Sequence, residues 1–223
     1  MHALVTGSSS GIGAAIATRL LADQWRVTGL DLAPAAREAD GYEHHQLDLT
    51  DAARLGDLLG RLDDVTALVH AAGVLRAAPL GALDAESGAA MWRLHVAVAE
   101  TLADTLAPRL PASGRIVLVG SRTASGAAGR SQYAASKAAL VGLARSWAAE
   151  LASRRITVNV IAPAATDTPM LADPARSGVT PKLPPIGRYI RPEEIAALVA
   201  FLLSAEAGAI TGQQIVVCGG ASL

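Results

Sequence analysis

The chain has 223 residues, of which 51% are hydrophobic, and a formal net charge of −1 at pH 7. This length suits one α/β domain with a large core, and the hydrophobic content excludes a disordered protein. The balanced charge gives no basic surface for nucleic acid or for an anionic membrane. No apolar run reaches the roughly 20 residues that span a bilayer, and the N-terminus has no signal-peptide pattern. A single cysteine, Cys218, excludes an intrachain disulfide. We therefore expect a cytoplasmic protein.

Short apolar runs alternate along the chain with longer Ala/Leu-rich stretches of helical spacing. Apolar strands that alternate with helices are typical of a parallel sheet covered on both faces, which predicts a doubly wound, Rossmann-like α/β fold in one domain, 1–223. The link from Asp31 to Glu43 is too short for a full helix, so one crossover is expected to be abbreviated. The predicted strands are Ala3–Thr6, Arg26–Leu30, Glu43–Leu47, Ala67–His70, Arg115–Val119, Thr157–Ala162 and Gln214–Val217, and the predicted helices are Gly13–Asp23, Ala52–Arg61, Glu86–Leu106, Tyr133–Ala152 and Pro192–Leu203.

The first strand runs directly into the stretch TGSSSGIG, in which Gly7, Gly11 and Gly13 separate it from the first helix. A phosphate can approach a helix N-terminus only where the turn is tight and no Cβ covers the backbone. Ser9 and Ser10 add hydroxyl and amide donors, and Ile12 lies within the same turn. Taken alone, such a turn is weak evidence, because a plain strand-to-helix connection also uses glycine.

Asp31, at the end of the second predicted strand, strengthens the case for a nucleotide. An acid in this position accepts hydrogen bonds from the hydroxyls of an adenosine ribose. A carboxylate here also repels a 2′-phosphate, and the following Leu32–Pro34 contains no arginine to offset that repulsion. The sequence therefore predicts NAD as the cofactor.

The stretch YAASK places Tyr133 and Lys137 one helical turn apart and on one face. An unperturbed phenol has a pKa of about 10, and a neighbouring cation lowers it by stabilising the phenolate. Such a tyrosine can exchange a proton with an alcohol or ketone while hydride moves to or from nicotinamide. A surface pair at this spacing is the alternative.

With these motifs in place, the chain resembles the short-chain dehydrogenase/reductase family over nearly its whole length. The resemblance implies that Ser121, at the end of a strand, orients the substrate oxygen toward Tyr133, with Lys137 completing the catalytic set. Ser121 precedes the tyrosine by one residue fewer than is usual in the family, which leaves Ser125 as a weaker candidate. The resemblance further implies a homotetramer or homodimer built on the helices Glu86–Leu106 and Tyr133–Ala152, a substrate loop at about 170–191, and no metal.

Further cofactor contacts follow from the same resemblance. Asp48 and Leu49, in LDLTD, match the family segment beside the adenine, although Asp48 could instead only cap the next helix. In HAAG, from His70 to Gly73, Ala71, Ala72 and Gly73 would offer backbone contacts where the family has two asparagines before Ala-Gly. Near the nicotinamide, Ile161 would contribute backbone atoms and Thr168 its hydroxyl. Tyr133 and Lys137 would also contact the cofactor, with Lys137 reaching the hydroxyls of the nicotinamide ribose.

His95 occupies the place of the family's helix asparagine, which holds a water on the proton path to the catalytic lysine. A histidine could bind that water, and an unperturbed one titrates near pH 6.5. A packed histidine without a part in the chemistry is an equally weighted alternative.

Three functions are compatible with these residues. The leading one is an NAD(H)-linked oxidoreductase that interconverts a small secondary alcohol and a ketone. The second is an NADPH-linked ketoreductase acting, for example, on 3-oxoacyl thioesters. The third is a nucleotide-sensing regulator without activity, which the intact Ser121, Tyr133 and Lys137 set disfavours.

Overall fold

Seven parallel strands form one sheet in the order β3-β2-β1-β4-β5-β6-β7. The computed structural model describes residues 1–172 and 182–223. Because the chain returns to the middle of the sheet after β3, the strand order reverses between β1 and β4, and ligands of such sheets bind beyond the strand ends at this point. The strands are β1 (His2–Thr6), β2 (Arg26–Asp31), β3 (Tyr42–Gln46), β4 (Ala67–His70), β5 (Arg115–Val119), β6 (Thr157–Pro163) and β7 (Gln214–Val217).

Six α-helices within the described residues cover the sheet or lead back into it. They are α1 (Gly11–Ala22), α2 (Ala52–Arg61), α3 (Ala85–Trp92), α4 (Val98–Leu106), α5 (Ser131–Leu151) and α6 (Pro192–Leu203). The predicted helix Glu86–Leu106 is interrupted, because a π-helical turn at Arg93–Ala97 separates α3 from α4. Single π-turns of this kind often occur at functional sites. The connection from β2 to β3 contains no helix, as expected from its length.

Alternate residues of the central strands contribute to two separate cores, one on each face of the sheet. On one face Val5 and Val69 pack with Ile16 of α1 and Val199 of α6. On the other face Leu4, Leu68 and Ile116 pack with Leu59 of α2, Leu102 of α4 and Leu140 of α5. This two-sided covering explains why β1, β4, β5 and β6 are buried at every residue. The doubly wound α/β fold predicted from the sequence is confirmed.

None of the helices in the described ranges is long and apolar enough to cross a membrane. The same ranges contain no cluster of His, Cys, Asp or Glu that could hold a metal ion. Part of the predicted substrate loop, residues 173–181, lies outside the described residues. The described part of that loop comprises a 3₁₀ turn at Pro169–Ala172 and the segment that leads into α6.

Candidate active site

The glycine-rich turn after β1 is held tightly against the chain segment that follows β4. Gly7 has a φ of +70° and Gly11 a φ of +51°, a region that favours glycine. A Cβ on Gly7 would lie 2.9 Å from the backbone nitrogen of Ala72, and one on Gly13 would lie 2.1 Å from the carbonyl oxygen of Gly7. Side chains at these positions would collide with backbone, so the turn leaves its own backbone uncovered.

Helix α1 begins immediately after this turn without a side-chain cap. Ser10 is its N-cap residue, and the Ser10 hydroxyl makes no capping hydrogen bond. The first backbone N–H groups of a helix have no partner within the helix, and together with the helix dipole they attract a phosphate. The N-terminus of α1 therefore fits the pyrophosphate of a dinucleotide.

Asp31 lies at the end of β2, next to the glycine-rich turn. Its Oδ2 accepts a hydrogen bond from the Ser9 backbone N–H at 2.9 Å, and its Oδ1 accepts one from the Ala33 N–H at 2.9 Å. These bonds fix the position of the carboxylate beside the turn. A carboxylate fixed here can accept bonds from ribose hydroxyls and opposes a phosphate on the ribose.

Asp48 and Leu49 follow β3 on the other side of the same cleft. Asp48 Oδ1 accepts hydrogen bonds from the N–H and the hydroxyl of Thr50, which lower the pKa of this carboxyl group. The carboxylate that caps α2 belongs to Asp51, whose side chain accepts from the Arg54 N–H. Capping of that helix is therefore not the role of Asp48.

The backbone of the HAAG segment is already partly engaged. The N–H groups of Ala71 and Ala72 both donate to Thr6 Oγ1, each at 3.1 Å. Hydrogen bonding from this segment to a nucleotide therefore falls mainly to its carbonyl oxygens. Gly73 fills a narrow position, since a Cβ there would lie 3.1 Å from His95 Nε2 and 3.3 Å from Lys137 Nζ.

These elements enclose a cleft of about 360 Å³, which we call the nucleotide cleft. Its described lining contains two carboxylates, Asp31 and Asp48, and no lysine or arginine. Of the expected cofactor contacts, it is lined by Gly7, Ser10, Gly11, Ile12, Gly13, Asp31, Asp48, Leu49, Ala71, Ala72, Gly73 and Thr168.

A second cleft of about 670 Å³ adjoins the first and shares Ile12, Ala71 and Gly73 with it; we call it the reacting cleft. Ser121, Tyr133 and Lys137 all line it. The chain order explains this arrangement, because Ser121 lies just beyond the end of β5 and α5 is the next α-helix along the chain.

Ser121, and not Ser125, is the serine that faces the reacting cleft. Ser121 Oγ lies 2.8 Å from Thr123 Oγ1 and accepts from the Thr123 N–H at 3.2 Å. Ser125 is exposed, and its hydroxyl donates to the carbonyl oxygen of Arg122. A 3₁₀ turn over Arg122–Ser125 separates the two residues, and only Ser121 lines the cleft.

Lys137 is buried, and its Nζ donates to the carbonyl oxygen of Val119 at 2.9 Å. No ion pair within the described residues involves it, and burial lowers the pKa of Lys137 to about 7. Its Nζ lies 6.0 Å from the centre of the Tyr133 ring. A cation this near stabilises a phenolate on that ring.

The contacts of His95 correct the expectation that it titrates near neutral pH. Its Nε2 accepts from the Val74 N–H at 3.1 Å, so the proton of the neutral ring lies on Nδ1, which donates to Ser136 Oγ at 2.9 Å. Burial, reinforced by the charge of Lys137, lowers the pKa of His95 well below its usual value. Neither ring nitrogen is free to bind a water.

His95 instead connects three parts of the site. The Ser136 hydroxyl, which accepts from His95, donates to the backbone carbonyl of Tyr133 at 2.9 Å. The His95 ring also meets the Tyr133 ring edge-on, with 5.6 Å between the ring centres. His95 thus ties the segment after β4 to α5 beside Tyr133, which favours a positioning role.

His70 is a second buried histidine beneath the site. Its Nε2 donates to the Leu94 carbonyl at 3.1 Å, and its Nδ1, 2.9 Å from Thr6 Oγ1, accepts the Thr6 hydroxyl hydrogen. Thr6 must donate here, because its oxygen already accepts from Ala71 and Ala72. A proton added to Nδ1 would face this hydroxyl, and burial lowers the pKa of His70 to about 3.

This geometry predicts acid-sensitive stability. Since the folded pKa of His70 lies below the 6.5 of an ordinary histidine, the unfolded chain binds the proton first, and stability is lost as the pH falls from 6.5 toward 3. His70 alone contributes a slope of about 1.4 kcal/mol per pH unit. His70→Asn, whose amide oxygen can accept from the Thr6 hydroxyl without titrating, should reduce the pH dependence of the unfolding free energy measured by urea unfolding between these pH values. His44→Asn, at a partly exposed histidine, is the control, and equal slopes in both variants would contradict the assignment.

Of the two residues expected near the nicotinamide, Thr168 lies at the clefts and Ile161 does not. Thr168 lines both clefts, and its methyl group lies closest to the Cβ that Gly11 lacks. Ile161 lines neither cleft, because it lies within β6 and its carbonyl accepts from the Gly120 N–H at 2.8 Å. The backbone beyond the end of β6, at Ala164, Ala165 and Thr166, lines the reacting cleft in its place.

Sequence reasoning missed several residues of the site. Thr6 and Ser136 organise it from inside a strand and a helix, and nothing in their local sequence marks them. Thr123 bonds to the Ser121 hydroxyl and Arg122 lines the same cleft, both in a loop where polar residues are common. Their position directly after Ser121 was the one available signal.

The fold and the two adjoining clefts, one of them lined by Ser121, Tyr133 and Lys137, are those of a nucleotide-dependent oxidoreductase. A family model described as enoyl-(acyl carrier protein) reductase matches residues 7–222. The chain is 36% identical over 240 residues to the 3-oxoacyl-[acyl-carrier-protein] reductase FabG of Salmonella typhimurium, with 98% of this chain and 96% of that protein covered.

Solved structures agree with this comparison. A short chain dehydrogenase family protein from Francisella tularensis superposes with a TM-score of 0.91 at 28% identity, over 99% of this chain and 98% of that one. A blue fluorescent protein from a metagenomic library, solved with NADPH, gives a TM-score of 0.90 at 32% identity, over 100% of this chain and 98% of that one. The chain belongs to the short-chain dehydrogenase/reductase family.

Proposed function

We propose that the protein is an NAD(H)-dependent oxidoreductase that interconverts a small secondary alcohol and the corresponding ketone. The observation that carries the proposal is the pair of adjoining clefts, one with Asp31 fixed beside an uncapped helix N-terminus and the other with Ser121, Tyr133 and Lys137. A nicotinamide cofactor, when bound, gives or accepts a hydride. The work of the chain is to position the substrate and move its proton.

Each residue of the reacting cleft has one task in this proposal. The Ser121 hydroxyl donates to the substrate oxygen and holds it toward the phenol of Tyr133. Tyr133 takes the hydroxyl proton when the alcohol is oxidised and returns a proton to the oxygen when the ketone is reduced. The ammonium of Lys137 stabilises the phenolate between these steps.

The nucleotide cleft fits NAD(H) better than NADP(H). A 2′-phosphate carries charge that needs cations, and the described lining offers two carboxylates instead. Arg37 does not supply the charge from the neighbouring loop, because its guanidinium bonds to Thr18 and lies over the Tyr42 ring. We infer a marked preference for NAD(H).

Direct titration with both cofactors tests this preference. We expect NADH to bind at least about tenfold more tightly than NADPH, the equivalent of roughly 1.4 kcal/mol. Asp31→Ala should narrow the difference, whereas Asp51→Ala, which removes only the cap of α2, should leave it unchanged. Equal or tighter binding of NADPH by the unaltered protein would overturn the proposal.

A second candidate is an NADPH-linked ketoreductase acting on 3-oxoacyl thioesters. The names of the relatives favour it, since one similar protein is called a 3-oxoacyl-[acyl-carrier-protein] reductase and a similar structure holds NADPH. Asp31 favours the first candidate. Turnover of a short 3-oxoacyl thioester, compared with short ketones and secondary alcohols under each cofactor, separates the two.

The proposal also covers the cellular location and the oligomeric state of the protein. We infer a cytoplasmic enzyme that assembles as a homotetramer or homodimer. In support, α4 and α5 form a groove of about 630 Å³ lined by Leu143, Trp147 and Leu151.

A further inference from the structure

We propose that the substrate carries a carboxylate and that Arg122 binds it. This inference rests on the proposed function, because it concerns the substrate of the same reacting cleft. It narrows the substrate from any small secondary alcohol or ketone to a short hydroxy acid or oxo acid.

The charged side chains that line the reacting cleft in the described part of the chain are all basic. Its described lining includes Arg122, Arg130, Lys137 and Lys182, and no aspartate or glutamate. The adjoining nucleotide cleft has the opposite character, with two carboxylates and no cation among its described residues. Clefts lined by one sign of charge concentrate ligands of the other sign. An anionic substrate is therefore favoured in the reacting cleft and a cationic one is opposed.

The Arg122 side chain, unlike that of Lys137, is not held by another residue of the described ranges. Lys137 donates to Val119, but the Arg122 side chain makes no hydrogen bond or ion pair with any residue in the described ranges, and its Nε is buried without a partner. Structural arginines of this chain behave differently, since Arg109, Arg115 and Arg154 each donate to backbone carbonyls. An unmet buried donor is costly, so a ligand that accepts from it gains affinity.

The position of Arg122 indicates that the two polar groups of the substrate lie close together. It directly follows Ser121, at the start of the 3₁₀ turn, and the Ser125 hydroxyl fixes that turn by donating to the Arg122 carbonyl. A carboxylate held by Arg122 therefore lies near the oxygen held by Ser121. A guanidinium binds a carboxylate through two parallel hydrogen bonds, which also fixes the orientation of the substrate.

The kinetic test compares short 2-hydroxy and 3-hydroxy acids with their own methyl esters. We expect the acids to exceed their esters in kcat/KM by about tenfold to a hundredfold, because an ester cannot form the charged pair. Arg122→Met should abolish this preference, whereas Arg61→Met, an exposed arginine outside both clefts, should keep it. Equal use of acid and ester by the unaltered protein, or an unchanged preference in Arg122→Met, would overturn the proposal.

A binding measurement separates this proposal from the proposed function. Calorimetric titration of butanoate and of its neutral amide, butanamide, into the cofactor-saturated protein requires no turnover. Tighter binding of butanoate, by about tenfold and lost in Arg122→Met, supports the anion site even if no alcohol or ketone reacts, in which case the proposed function alone fails. Binding of butanoate that is no tighter than that of butanamide overturns the anion site even if neutral ketones react.

Discussion

Tyr133→Phe is expected to lower kcat by about 10²- to 10⁴-fold while the affinity for the nicotinamide cofactor stays unchanged. The ring is buried among Leu75 and Met91 and meets the His95 ring edge-on, and a phenylalanine keeps all three contacts. Only the hydroxyl that exchanges the proton is removed. The variant should therefore fold normally and bind cofactor without completing the reaction.

The measurement combines steady-state turnover with a cofactor titration on the same preparation. Tyr189→Phe is the matched control, because it also removes one phenol hydroxyl and Tyr189 lines neither cleft. A Tyr133→Phe enzyme that retains more than about a tenth of the activity would show that another group carries the proton. A loss of cofactor affinity in the same variant would place the hydroxyl in binding rather than in proton transfer.

Most of the sheet could be predicted from the sequence because four of its strands, β1, β4, β5 and β6, are buried on both faces. The runs at β4, β5 and β7 match their predicted bounds, and the other strands begin or end within one residue of them. A strand covered on both sides must be apolar throughout, so its ends are visible where polar residues resume. The helices are less sharply bounded, and α1 and α5 each begin two residues before their predicted first residue.

The proton positions of the buried histidines could not be predicted in the same way. The tautomer of His95 depends on Val74 and on Ser136, which is 41 residues away in the chain. The tautomer of His70 depends on Thr6, whose hydroxyl is committed by two backbone amides of another segment. These bonds arise from tertiary packing. A histidine in an apolar helix is equally consistent with a titrating group and with a fixed one until its partners are known.

The same limit applies to the charge of the reacting cleft. Arg122 looks like an ordinary loop arginine in the sequence, because most charged residues in loops are solvated. It becomes informative only when the structure shows it beside Ser121 with a buried, unpartnered Nε and no acid in the described lining. Motifs thus predict which residues react, whereas the surrounding packing determines which substrate they meet.

Lys137→Met is expected to abolish most activity and, at neutral pH, to make the protein more stable. Activity falls because the phenolate of Tyr133 loses the neighbouring cation. Stability rises because burial alone lowers the pKa of Lys137 from 10.5 to about 7, so the folded protein holds an ammonium at a disfavoured site. Methionine fills a similar volume without a charge, and the lost bond to Val119 offsets only part of the gain.

The sign of the pH dependence distinguishes this effect from simple repacking. Because the folded pKa lies below the unfolded one, the unfolded chain binds more protons between pH 7 and 10.5, and the unaltered protein gains stability there as the pH rises, by about 1.4 kcal/mol per unit. The advantage of Lys137→Met should therefore be largest near pH 7 and shrink toward pH 10.5. Urea unfolding of both proteins across this range measures it, with Lys182→Met as the exposed-lysine control. If the difference in unfolding free energy between the two proteins is the same at all pH values, burial does not lower the pKa of Lys137.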